Sequence, residues 1–274
     1  MTFFAPASIT AFFSPKISDD PLKSGSTGVG ITLSKGVKAE LSDDRIRLNG
    51  RDFSFPTIEL LFEKLGLELK QGLKLESQIP VGCGFGFSGA ACLAAAFEIN
   101  KKMKLKKGYF ELTDIVHECE VESRTGLGDV VCQSYGGVVV RKVAGSPSMV
   151  KIEKYLFNDD LSFLVIGEIQ TSKILRDDEI VQRINRYGEE ALKAFLRNPE
   201  MENLFRISKE FAVKTGLMDD EVLEIIKDLE RQGYLASMVM LGKVVFSNCD
   251  VEILKEYGEK TLKARISQVG VVEV

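Results

Sequence analysis

The sequence has no tryptophan and only one histidine, His117. A single imidazole excludes metal centres built on two or more histidines. A Ser-His-Asp or Cys-His machine could only use His117. The five cysteines, Cys83, Cys92, Cys119, Cys132 and Cys249, are odd in number and form no CxxC. Neither a disulfide framework nor a zinc knuckle is expected, and reduced thiols in a cytoplasmic protein are the simplest reading. Long apolar runs are missing too. The stretch 89–97 falls far short of the roughly 20 residues a spanning helix needs, so no membrane partner is expected. The apolar start MTFFAPASITAFFSP has no basic residue before it and is interrupted by Pro6, unlike a secretory signal. Positive charge is not in excess: 36 Lys and Arg face 40 Asp and Glu. That balance leaves no footprint for non-specific nucleic-acid binding.

What is present is an ordinary globular composition, 45% hydrophobic and 28% charged over 274 residues. Residues 29–55 read as short strands, with Asn49-Gly50 as a hairpin turn. A helix is expected over 57–66 and a half-buried strand over 73–79. Then come a glycine-rich turn, a small-residue helix over 88–100 and a helix over 113–124 capped by Thr113 or Asp114. The segment 130–143 ends in a strand. A boundary over 144–160 separates two expected domains, 1–158 and 159–274. The second domain opens with a strand over 161–169 and continues with helices over 177–197, 200–215 and 219–232. A strand, a turn at Gly242-Lys243 and a second strand follow. Strands and helices mix without strict βαβ alternation, which favours an α+β class.

The sharpest local feature is PVGCGFGFSGAACLAAA, residues 80–96. Glycines at 82, 84, 86 and 89 remove Cβ atoms from a turn that feeds straight into a helix. Such a turn can offer backbone N–H groups and the positive helix end to a phosphate. A tight turn before a buried helix is the plainer alternative. The segment lacks GxxxxGK[ST] and so is no Walker loop. Gly84, Gly86 and Gly89 satisfy GxGxxG, but the preceding strand alternates and the polar KKMKLKKG follows the helix. A dinucleotide-binding unit is therefore disfavoured.

The second feature is HECEVESRTGLGDVVCQSYGGVVVRK, residues 117–142. His117 and Glu120 share a helix face. Asp129 follows a glycine turn, as either a helix cap or a functional carboxylate. Taken alone, His117, Glu120 and Arg141 read equally as structural or solvated residues. The third feature, residues 5–31, carries Ser14, Ser24, Ser26, Thr27 and Lys23. By itself it specifies no chemistry.

Together these blocks resemble the GHMP kinase superfamily of galactokinase, homoserine kinase, mevalonate kinase and phosphomevalonate kinase. PVGCGFGFSGAA resembles its phosphate loop, TGLGDVVCQSYGG its acidic turn, and SMVMLGKVVF its third, hairpin motif. PASITAFFSP, DPLKSGSTGVGI and TGLGDVVCQSYGGVVVR are similar to segments of the archaeal pantoate kinase family. Phe85 and Phe87 depart from the superfamily's usual Leu and Ser. The resemblance implies a two-domain α+β fold with the active site in the inter-domain cleft. It implies ATP-dependent, Mg²⁺-requiring phosphorylation of the 4-hydroxyl of (R)-pantoate in archaeal coenzyme A biosynthesis. It assigns the ATP phosphates to Pro80, Gly82, Gly84, Gly86, Ser88, Gly89 and Ala90, and Mg²⁺ to Ser88 and Glu120. Asp129 becomes base or orienter, and Ser14, His117 and Arg141 become pantoate contacts. Lys16 and Lys23 are the only candidates for an assisting lysine, and the adenine pocket is expected within 40–80. A homodimer is the expected assembly. The alternatives are a GHMP kinase for mevalonate, homoserine or another small hydroxy acid, an NAD(P)-dependent oxidoreductase, and a non-catalytic nucleotide-binding regulator.

Overall fold

The computed structural model describes residues 2–42, 45–67, 72–168 and 177–274. Its centre is β1 (Phe3–Lys16), buried along almost its whole length. Proline is poorly tolerated in a central strand. Pro6 sits where the register between β1 and its neighbour shifts, between Pro6 and Ser8, so the missing N–H falls at an irregularity. That neighbour, β2 (Gly25–Ser42), is long enough to hold three partners. It runs antiparallel to β1 throughout, to β5 (Gly72–Ser77) through Val37–Ser42, and to β6 (Val138–Val143) through Gly28–Ile31. Two-residue strands β3 (Arg47–Leu48) and β4 (Arg51–Asp52) form the hairpin expected at Asn49-Gly50, with positive φ at both turn residues. β7 (Lys151–Tyr155) pairs with β6. β12 (Val272–Glu273) returns from the C-terminus to pair with β1.

Helices α1 (Pro56–Lys64), α2 (Phe87–Lys102), α3 (Tyr109–Glu122) and α4 (Asp129–Tyr135) accompany this sheet. Ala90, Ala91, Ala94, Ala95 and Ala96 are all fully buried in α2. Small side chains let the helix lie close against the strands, which is why α2 is buried nearly all round rather than amphipathic. A second, four-stranded antiparallel sheet has the order β11-β8-β10-β9. It comprises β8 (Asp160–Glu168), β9 (Ala236–Met238), β10 (Gly242–Ser247) and β11 (Thr261–Arg265). Between β8 and β9 come α5 (Asp178–Arg197), α6 (Met201–Thr215) and α7 (Asp220–Arg231). Asp177 and Asp219 cap α5 and α7 by accepting from Ile180 N and Val222 N, and Gly216 ends α6 at φ 75°. One-turn α8 (Val251–Leu254) precedes β11. Phe12 of β1 packs against Phe195 of α5 and Phe211 of α6, so both helices lie on the first sheet, and α6 also reaches the second through Phe205 against Phe246.

Most elements fall where the sequence places them. Residue 169, the last of the expected strand over 161–169, lies outside the described residues, as do residues 43 and 44 within 29–55. Three details differ. α3 starts four residues before the expected Thr113, because Glu111 reaches back to Gly108 N (3.4 Å) and Tyr109 packs on Phe97. Asp114 instead accepts from Ser148. The segment after Asp129 forms the short helix α4 before its strand. The last hairpin turns before Gly242, with Leu241 at φ 62°, because Gly242 N bonds Val239 O (3.3 Å).

Candidate active site

The chain leaving β5 passes through three left-handed glycines, Gly82, Gly84 and Gly86, at φ 76°, 79° and 62°. A side chain at any of them would strain the turn. Gly86 is the N-cap of α2 and supplies no side-chain cap, so the first N–H groups of the helix stay open to a ligand. The loop is braced from three directions. Ser8 N of β1 donates to Phe85 O (3.1 Å). The Phe85 ring meets Phe163 of β8 edge-on at 5.3 Å. The β9–β10 hairpin comes so close that a Cβ on Gly242 would lie 2.2 Å from Cys83 O. Phe85 thus serves the loop as an aromatic anchor. Phe87 packs with Phe53 and Phe55 at 6.0 and 5.8 Å.

A cavity of about 270 Å³ opens over this loop. It is lined by the loop (Gly82, Gly84, Gly86, Ser88), the acidic turn (Glu120, Thr125–Asp129), the aromatic cluster (Phe53, Phe55) and the hairpin (Met240, Leu241). Glu120 of α3 is only 2% exposed. Ser88 Oγ donates to its Oε1. Burial pushes the Glu120 carboxyl up to about 7; the Ser88 hydrogen bond opposes this, and the nearby Asp129 charge reinforces it. Asp129 is the first residue of α4, and its carboxyl is also raised by burial. A hydrogen bond from Ser8 Oγ (2.8 Å) and the charge of Arg141 pull it back down. A Cβ on Gly126 would lie 2.7 Å from Glu120 Oε2 and 3.3 Å from Asp129 Oδ2, so both oxygens border one small space. Two carboxylates and a hydroxyl around a space short of positive charge suit a hard, oxygen-seeking divalent cation.

The three residues expected at the acceptor converge on one short stretch, residues 24–27 of β2 and its approach. His117 Nε2 lies 2.9 Å from Ser24 O, and burial favours the neutral imidazole. Arg141 is 1% exposed; its Nε donates to Ser26 O (3.1 Å), Nη2 to Ser26 Oγ (3.3 Å) and Nη1 to Cys132 Sγ (2.8 Å). Ser14 faces Thr27 across the β1–β2 ladder and donates to Asn185 Oδ1 (2.6 Å). None of the three lines the cavity, whereas Ser26 does. Lys16 and Lys23 pair at the surface with Glu189 and Asp20, and neither lines the cavity. Pro80 and Ala90 flank the loop, and Ala90 N continues the helix by bonding Gly86 O (3.1 Å).

Sequence reasoning missed Ser8 and Gln133. Gln133 Nε2 donates to Gly86 O (2.8 Å) and to Ser8 Oγ (3.2 Å). Nothing in PASITAFF marks its first serine, since its partner lies 121 positions away. The dinucleotide alternative fails on topology. β5 pairs antiparallel with β2 and parallel only with the earlier β3, and among the described residues no strand after α2 pairs beside it, as the second strand of a dinucleotide-binding βαβ unit would.

Residues 53–137 match the GHMP kinases N terminal domain. The chain is 37% identical over 260 residues to a pantoate kinase of Methanocaldococcus jannaschii, covering 92% of this chain and 94% of that protein. A solved structure described as a phosphotransferase related to the CoA biosynthesis pathway superposes with a TM-score of 0.88 at 29% identity, covering 99% and 98% of the two chains. Homoserine kinase from Cytophaga hutchinsonii shares the fold more distantly, with a TM-score of 0.69 at 18% identity and coverage of 100% and 97%.

Proposed function

The chain belongs to the pantoate kinase family of the GHMP kinases, and from that premise we propose that it transfers the γ-phosphoryl group of ATP to the 4-hydroxyl of (R)-pantoate. The products are 4-phosphopantoate and ADP, a step that belongs to coenzyme A synthesis. One observation carries the reading. The open, glycine-formed end of α2, the Ser88–Glu120 pair and Asp129 all face a single cavity. That is the set of parts phosphoryl transfer requires: a cradle for phosphates, oxygens for a cation and a group to receive a proton.

The loop from Pro80 to Ala90 binds the ATP phosphates, with N–H groups at the start of α2 as donors. Phe53, Phe55 and Phe87 form an apolar wall beside it that suits the adenine ring, the first two within the stretch 40–80 expected for that pocket. Ser88 and Glu120 hold Mg²⁺, which when bound neutralises phosphate charge. The acceptor oxygen attacks the γ-phosphorus while the bond to the β,γ-bridging oxygen breaks, and Asp129 takes the hydroxyl proton. Ser14, His117 and Arg141 form the pantoate end. They shape residues 24–27, which reach the cavity at Ser26, and Arg141 supplies the charge that attracts a carboxylate. The enzyme acts in the cytoplasm as a homodimer, which light scattering would check. Its working halves divide near residue 158.

The test is an ADP-release assay with pantoate, mevalonate and homoserine as acceptors. Turnover with pantoate at a kcat/KM well above the others is expected. Preference for either other acceptor would overturn the substrate while leaving the kinase class.

A further inference from the structure

We propose that Ser8, seated by Gln133, is a positioning residue that fixes which oxygen of Asp129 is presented to the acceptor hydroxyl. This role rests on the phosphoryl-transfer reading above. Its basis is a directional chain of hydrogen bonds buried under the cavity. Gln133 is fully buried, and its Nε2 faces two acceptors, Gly86 O and Ser8 Oγ. The reverse amide orientation would set an oxygen against the Gly86 carbonyl, so the amide can sit only one way. Ser8 Oγ accepts from it and has one proton left to give. That proton goes to Asp129 Oδ1 at 2.8 Å.

Pinning Oδ1 leaves Oδ2 as the unengaged oxygen. Oδ2 borders the space at Gly126 that it shares with Glu120 Oε2. The base therefore presents one defined atom towards the cation and acceptor. The same Gln133 amide holds the carbonyl of Gly86, the N-cap of α2. Phosphate loop and base are thus tied to one side chain, which sets their separation. The surrounding glycines fit this account. A Cβ on Gly86 would lie 2.5 Å from Gln133 Nε2 and 2.9 Å from Ser8 Oγ, and one on Gly89 would lie 2.7 Å from Gln133 Oε1. Those positions are bare because the relay occupies the space. Gln133 Oε1 itself has no hydrogen-bond partner, so the amide is kept there for what its N–H groups do.

The experiment compares wild type, Ser8→Ala, Ser8→Thr, Gln133→Met and the Ser8→Ala/Gln133→Met double variant in the ADP-release assay with ATP–Mg²⁺ and pantoate. Loss of a charge-assisted bond that orients a base is expected to lower kcat about tenfold. The KM values should stay within about twofold, because no substrate contact is lost. Ser8→Thr should recover most of the rate. The double variant should be no slower than Ser8→Ala, since both act through one chain. Crystal structures of wild type and Ser8→Ala give a readout independent of the acceptor: the Asp129 carboxylate should turn away from its wild-type orientation. Wild-type kcat in folded Ser8→Ala, or an unmoved carboxylate, would overturn the proposal. If Ser8→Ala does not fold, Gln133→Met decides by the same two readouts. A wild-type enzyme silent toward pantoate would refute the substrate instead, and the carboxylate orientation would still decide the positioning role.

Discussion

Replacing Glu120 by Gln should stabilise the metal-free protein at alkaline pH and leave it almost unchanged in acid. Glu120 is buried, and its carboxyl titrates near 7 instead of the ordinary 4.5. An acid whose folded-state pKa is raised binds its proton more tightly when folded. The native state therefore enjoys that advantage fully below pH 4.5 and loses it as pH rises through about 7. With each pKa unit worth about 1.36 kcal/mol, the loss amounts to about 3 kcal/mol at pH 8 and under about 1 kcal/mol at pH 5. The amide in Glu120→Gln has no charge to lose and can still accept from Ser88, so the variant escapes the penalty. The assay is thermal unfolding in EDTA at both pH values. At about 2–4 °C per kcal/mol for chains of 150–250 residues, the variant should melt several degrees above wild type at pH 8. Added Mg²⁺ with a non-hydrolysable ATP analogue should reverse the order, because only the carboxylate gains from the cation. Equal melting differences at pH 5 and pH 8 would refute the reasoning, since the destabilisation would then not come from an ionised Glu120.

Three further outcomes follow from the geometry. Asp129→Asn should lower kcat by roughly 10²–10⁴ with ATP affinity almost unchanged, measured by single-turnover kinetics and nucleotide titration. Arg141→Ala should raise the KM for pantoate about tenfold or more while the ATP constant moves little. It should also cost about 3–5 kcal/mol of stability, because the side chain is buried and holds Ser26 in place. Gly242→Ala should weaken ATP binding without touching any ATP contact, because its Cβ would push on Cys83 O from 2.2 Å. Isothermal titration with ATP–Mg²⁺ reads that effect.

The elements legible from sequence were those with a local cause. Asn49-Gly50 forms its hairpin, α2 follows its glycine turn, and the helices at 178–197, 201–215 and 220–231 fall within a residue or so of their caps and glycines. Asp129 could be picked out as a candidate for a similar reason, since it follows the glycine turn at Gly126 and Gly128, whereas Glu120 on its helix was singled out only by the family resemblance. What stayed hidden depends on partners distant in the chain. β1 carries two prolines and mixed polarity, so its central, doubly covered place follows only from the strands and helices around it. Ser8 and Gln133 gain meaning only through each other and Asp129. His117 and Arg141 were legible as candidates, but not the way they divide their bonds between Ser24 and Ser26.

The contact between Gly242 and Cys83 has a consequence for how the enzyme comes into being. The glycine-rich loop lies in the first third of the chain, yet the hairpin that braces it comes from residues 236–247. On the ribosome, roughly 150 residues must be added after the loop before that buttress emerges. A nascent or truncated chain therefore has the glycine-rich sequence without the brace that fixes its shape. On the proposed reading, ATP capture would be a late event in synthesis and a report that the second sheet has docked.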